Sequence, residues 1–185
     1  MTKAAIVENG LVTNLIVIDP DSLPDIAGLV QVPADVSPTI GWAWSAEDGF
    51  MAPEIPLADL KAAKVSDLSA ACAATIVEGF VSSALGAPHT YPSSTTDQIN
   101  LMGSVTASLL PDPVPDWSTP FWCADHVDGA WVFRPHSAEQ IQTVGADGKA
   151  HVVACQTQLD GLTRDVVAAI TAEAVAAIDW PDLIA

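Results

Sequence analysis

The hydrophobic pattern of this chain changes period once, at Pro53 and Pro56, and that change divides it. Before the prolines, apolar and polar residues alternate over short runs broken by turn residues, the mark of half-buried strands. After them, "LADLKAAKVSDLSAACAATIVEGF" sets Leu57, Leu60, Lys64, Leu68, Cys72, Ile76 and Phe80 on one stripe of period about 3.6, and only Lys64 is polar. A strand sends side chains to alternate faces and a helix gathers them every third or fourth position, so no one element serves both patterns. The expected fold class is therefore α+β: a small N-terminal antiparallel β module over residues 1–56, then a mainly helical domain over residues 57–185 that contains a short β-hairpin at 121–134. With 185 residues, half of them hydrophobic, and a mean hydropathy of +0.34, the chain can bury real cores.

In the first part, "AAIV" and "LVTNLIVID" flank Glu8-Asn9-Gly10, and Asn-Gly supplies the positive φ values that a tight hairpin demands. Residues 4–18 should form that hairpin. "GLVQVP" reads as a third strand, and "GWAWS" and "GFMAP" as a pair around Glu47-Asp48-Gly49, with Trp42 and Trp44 on the same face. In the second part the striped helix should stop near Gly79, ahead of a polar loop or short hairpin, "SSALGAPHTYPSS". Thr95 with Gln98 reads as a capping box opening a helix that buries Ile99, Met102, Val105 and Leu109. "PFWCADH" and "AWVFRP" are short strands around the turn Val127-Asp128-Gly129, and Ser137 with Gln140 caps a helix carrying Ile141, Val144, Val152, Cys155, Leu159, Leu162, Val166 and Ile170. Gly145, Gly148 and Gly161 are expected to bend or break it, and Thr171 to cap a last short helix. No repeat shows at periods of about 20 to 50 residues.

Charge excludes several function classes. The 23 Asp and Glu against 6 Lys and Arg give −17, a field that repels phosphate backbones and anionic headgroups, so neither nucleic acid nor membrane is an expected partner. The carboxylates are scattered among Ala and Val, unlike the surface arrays of a nucleic-acid mimic. No apolar run approaches the roughly 20 residues that cross a bilayer, and the first residues lack the apolar core and cleavage site of a signal peptide. Cys72, Cys123 and Cys155 are odd in number with no C-x-x-C, which fits reduced thiols.

The densest collection of chemically capable residues is "TPFWCADHVDGAWVFRPHSAEQ", residues 119–140. A zinc site from Cys123, Asp125, His126 and His136 would need four ligands converging on one ion. In a strand, 123 and 125 share a face and 126 points the other way, which opposes a compact site. The simpler expectation is a core thiol with two histidines at a strand end and a helix start. Cys72 and Cys155 lie on apolar stripes, where burial raises a thiol pKa instead of activating it. His89 and Tyr91 should dock over the start of the second helix while Gln98 and Asn100 satisfy loop carbonyls. There is no G-x-S-x-G, phosphate-binding glycine loop or H-E-x-x-H, so no catalytic residue, cofactor or metal is expected, and the chain is not expected to be an enzyme.

"GFVSSALGAPHTYPSSTTDQINLMGSV" followed by "WSTPFWCADHVDGAWVFRPHSAEQIQTV" and a helix ending "AAIDW" resembles a domain of unknown function in tailed-bacteriophage tail and tail-fibre-associated proteins. The likeness covers roughly residues 57–181 and rests on His89 and Tyr91, Gln98 and Asn100, Trp122 and the "AEQ" at residues 138–140. The first part also looks like the small β module that opens many tail accessory and tail-fibre assembly proteins. The resemblance implies a non-enzymatic tail protein of the virion, in the fibre or baseplate, assembled in the host cytoplasm and docked to other tail proteins or to further copies of itself. Its alternatives are an assembly chaperone absent from the virion and a tail-associated metal hydrolase. Because about 50 residues hide two tryptophans poorly, the partner surface is expected around Trp42, Trp44 and Phe50.

Overall fold

A computed structural model describes residues 2–19, 24–110, 115–125 and 129–181, and it divides the chain into two compact units, Met1–Pro56 and Leu57–Ala185. The first unit is a sheet of β1 (Thr2–Glu8), β2 (Leu11–Ile18), β3 (Leu29–Gln31), β4 (Ala43–Ser45) and β5 (Gly49–Met51). The strand order is β3-β1-β2-β4-β5 with every neighbour antiparallel. Asn9 and Gly10, at φ 53° and 77°, make the left-handed two-residue turn that sets Glu8 opposite Leu11. Ala5, Val12 and Val32 form the core, and Val7, Leu15, Val36, Trp42 and Phe50 pack against it.

The second unit runs α1 (Leu57–Glu78), β6 (Phe80–Ser82), β7 (His89–Tyr91), α2 (Thr95–Ser108), β8 (Ser118–Asp125), β9 (Trp131–Ser137), α3 (Ala138–Ala168) and α4 (Ala172–Ala176). The chain is thus α+β, with two antiparallel sheets and four helices among the described residues. The second sheet is a meander in the order β6-β7-β8-β9, and α2 is spliced between its middle strands. Helix α1 ends at Gly79, whose φ of 129° suits glycine and where a Cβ would stand 2.6 Å from the Tyr91 carbonyl oxygen. Ser137 and Gln140 close a capping box on α3, and the Thr171 hydroxyl accepts the Ala174 N–H at 3.1 Å to start α4.

Helix α2 departs from expectation twice. Its N-cap is Ser94, not Thr95, because the Asp97 carboxylate accepts the Ser94 N–H at 3.1 Å while Gln98 donates to the Ser93 carbonyl at 2.9 Å. Its buried side is also different: Leu101 and Ser108 are buried and Val105 half-buried, whereas Ile99, Met102 and Leu109 are exposed. The reason is a polar helix contact that hydrophobic spacing does not register. The Gln142 amide donates to the Ser108 hydroxyl at 3.0 Å, and that hydroxyl donates to the Val105 carbonyl at 2.7 Å.

Helix α3 is the spine, and it is continuous across all three glycines. Its first half carries Ile141 and Val144 into a core with Phe80, Tyr91, Leu101, Phe121 and Cys123. Its second half runs antiparallel to α1: the Lys61 Nζ donates to the Val167 carbonyl at 2.7 Å, and His151 Nε2 donates to the Thr75 carbonyl at 3.3 Å. Lys64, the one polar residue of the α1 stripe, donates to the Ala176 carbonyl at 3.3 Å and meets Asp179 at 3.0 Å. Two of the chain's six cations therefore satisfy carbonyls in the last turns of α3 and α4, where partial negative charge collects. Leu68 is buried on this stripe and Ile76 half-buried, whereas Ile170 lies past the end of α3 and is exposed.

The α3 glycines differ in what surrounds them. A Cβ on Gly148 would come within 2.9 Å of the Phe80 ring and one on Gly145 within 2.7 Å of Val105, so both permit close packing, while Gly161 faces open space. Gly161→Ala should therefore stabilise the unit by about 0.5–1 kcal/mol, the helix-propensity difference. Gly148→Ala gains the same term but must displace a buried ring, at a cost of about 1–3 kcal/mol. Urea denaturation of both variants is expected to show opposite signs; stabilisation by Gly148→Ala would mean that the ring yields freely.

Candidate functional site

The strand pair β8–β9 has two faces of different character, set by parity. Phe121 and Cys123 point inward, opposite Arg134 and Val132, while Trp122 points outward, opposite Phe133; Ala124, opposite Trp131, is buried. On the inner face, Tyr91 is fully buried, with ring centroids 5.7 Å from Phe80, 6.5 Å from Phe121 and 5.7 Å from His136. The His136 Nδ1 lies 2.9 Å from the Arg134 carbonyl, which can only accept, so Nδ1 carries the proton. The Tyr91 hydroxyl then donates to the free Nε2 at 2.9 Å. The thiol of Cys123 and the guanidinium of Arg134 adjoin this hydroxyl, and the Arg134 Nε is buried without a hydrogen-bond partner among the described residues.

Burial shifts these groups toward their neutral forms. It lowers His136 from its ordinary 6.5, and it raises Tyr91, with the Cys123 thiol beside it adding to the effect, along with Cys72, Cys123 and Cys155 from their ordinary 9.0. For His136 the unfolded chain binds the proton more readily, so the stability it contributes is full above pH 6.5 and is lost as pH falls through its lower folded value. For the thiols the unfolded chain gives up the proton first, so their contribution is full below pH 9.0 and is lost as pH rises toward their higher folded values. Denaturant midpoints are expected to fall on both sides of that window, and the acid limb should flatten in His136→Gln. An acid limb unchanged in that variant would exclude His136 as its source. Among the described residues no group of three or more His, Cys, Asp and Glu is placed to hold a metal; Cys123 is in the core and His136 beneath Tyr91, while His126 lies outside the described residues. His89 is buried in β7 and donates to the Ala87 carbonyl at 2.8 Å; Gln98 satisfies a loop carbonyl as expected, whereas Asn100 is exposed.

The outer face is open. Trp122, Trp131 and Phe133 are each about half exposed, at 50%, 49% and 51%, and the Trp122 and Phe133 rings lie 5.2 Å apart with their planes tilted by 36°. Trp122 and Phe133 form one wall of a groove of about 670 Å³, whose other side is α2 with Ile99, Gly103 and Ala107. The groove continues into a hollow of about 330 Å³ lined by Pro92, Asp97, Trp122 and Trp131. The α2 side also carries Asp97, Asn100 and Ser104, and exposed aromatics beside such a mixed helix side are the chemistry of an interaction surface. A second cleft of about 400 Å³, between α2 and α3, contains Gln98 and Gln142, but both amides are already bonded to Ser93 and Ser108.

Strands β8 and β9 are therefore structural on one face and open on the other, and the open face is what reading them as a plain hairpin misses. Alternation in "FWCA" and "WVF" would have found it, since it opposes Trp122 and Phe133 to the buried Phe121 and Cys123. In the β module, Trp42 and Phe50 pack against the core, Trp44 pairs across the strands with Phe50, and all three are half-buried. Among the described residues no helix is long and apolar enough to cross a membrane.

No curated protein and no solved structure matches the chain. A family model described as Domain of unknown function (DUF4376) matches residues 59–180, which takes in nearly all of α1, the whole of α2, α3 and α4 and the second sheet, and the chain belongs to that family.

Proposed function

We propose that this chain is a non-enzymatic tail protein of a tailed bacteriophage, a component of the fibre or baseplate that works by docking other tail proteins. The observation that carries the docking part is the groove between α2 and the β8–β9 face, where half-exposed Trp122 and Phe133 stand beside α2 and half-exposed Trp131 lines the adjoining hollow. The tail assignment rests on the resemblance of the motifs around His89, Gln98 and Trp122. The module's Trp42, Trp44 and Phe50 offer a second, more covered aromatic surface for a partner or a further copy of the chain. Purified tails from infected cells test the role: a structural component co-migrates with the particles in stoichiometric amount. Absence from purified tails together with capture of fibre protein from the lysate would make it an assembly chaperone, and absence from both would overturn the reading.

A further inference from the structure

The hollow at the end of the groove combines two indole rings with a carboxylate. Asp97 is half-buried at the first turn of α2, and both its capping bonds, from the Ser94 N–H and the Ser94 hydroxyl, fall on Oδ2. Oδ1 accepts none among the described residues. The lining contains no Lys or Arg, and Arg134 on the neighbouring strand lies on the opposite, inner face. Around this stands a chain of net charge −17, whose field draws cations toward any such site.

Indole faces attract a cation through the ring quadrupole, and a carboxylate at the same place adds charge and hydrogen-bond acceptance. A guanidinium suits the combination better than an ammonium, because its flat, weakly hydrated surface stacks on an indole while its edge N–H groups reach a carboxylate. We infer that the hollow between Trp122, Trp131 and Asp97 is an arginine site: the docked partner is a protein segment that lays apolar side chains along the α2–β8 groove and sets an arginine in the hollow, its guanidinium against Asp97 Oδ1. This deepens the docking reading and rests on it. It gives the partner a stated chemistry, an apolar stretch beside a basic residue, which an acidic copy of the same chain matches poorly.

The test uses the full chain and two tripeptides, acetyl-Gly-Arg-Gly-amide and its citrulline counterpart, which keeps the shape and loses the charge. The indole N–H resonances of the six tryptophans are followed by NMR, with Trp122 and Trp131 assigned by substitution. The arginine peptide should shift those two saturably at millimolar concentration while Trp42 and Trp44 stay still. Each ring should contribute a factor of about two to five in affinity, lost in Trp131→Ala. Asp97→Asn, which keeps an oxygen for the Ser94 cap, should weaken binding at least about threefold. Equal shifts from the citrulline peptide, or none from the arginine peptide, would overturn the arginine site without depending on any variant's folding. The two readings also fail separately. If Trp122→Ala abolishes partner capture but the arginine peptide does not bind, the docking groove stands and the arginine site falls; if the peptide binds and capture is unchanged, the hollow takes a guanidinium but the docking reading falls, and with it the partner segment inferred here.

Discussion

Tyr91→Ala should lower the stability of the helical unit by about 3–5 kcal/mol, the range for removing a buried aromatic. Tyr91 is fully buried, lies between the Phe80 and Phe121 rings, and is the donor that satisfies His136 Nε2. Truncation therefore opens a cavity where the sheet meets α3 and leaves a ring nitrogen unbonded in it. Tyr91→Phe keeps the ring and removes only the donor, so it should cost about 1–3 kcal/mol, the penalty for an orphaned buried acceptor. Urea titrations of the two variants separate packing from hydrogen bonding. A loss below about 1 kcal/mol for Tyr91→Ala would mean that this core collapses around the gap and that Tyr91 is not its keystone.

Trp122→Ala should reduce affinity for the docked partner at least about 30-fold, equivalent to the 2 kcal/mol that marks an interface anchor. Trp122 lines both the groove and the hollow, so its loss removes a wall from each. Phe133→Ala should cost less, because Phe133 touches only the groove, and the two losses should not add, since the rings are in contact. Pull-downs of tail proteins from infected lysate, with circular dichroism confirming that each variant is folded, measure this directly. The same assay with Trp42→Ala and Trp44→Ala addresses the module. If capture survives Trp122→Ala and disappears with the module's tryptophans, the docking surface lies in the first unit and the groove is not it.

Local signals in the sequence were enough to define most of the elements. The change of period at Pro53 and Pro56 separates strands from helices, Asn9-Gly10 dictates a hairpin because both residues accept positive φ, and Ser137 with Gln140 and Thr171 mark helix starts through bonds spanning three residues. The inward placing of Phe121 and Cys123 likewise follows from strand parity. Other outcomes depended on what approached each element from elsewhere in the chain. The α2 surface turned away from its expected side because Ser108 found Gln142, a partner 34 residues on. Gly145 and Gly148 became contact points instead of breaks because Val105 and Phe80 came to lie against them. The candidate site belongs to this second group. Alternation shows that Trp122 and Phe133 share a face, but a strand pattern is the same whether that face is covered or bare. Only the placing of α2 and α3 against the sheet left it open, with Asp97 at its end, because burial is a property of the neighbours a side chain meets and not of the residue itself.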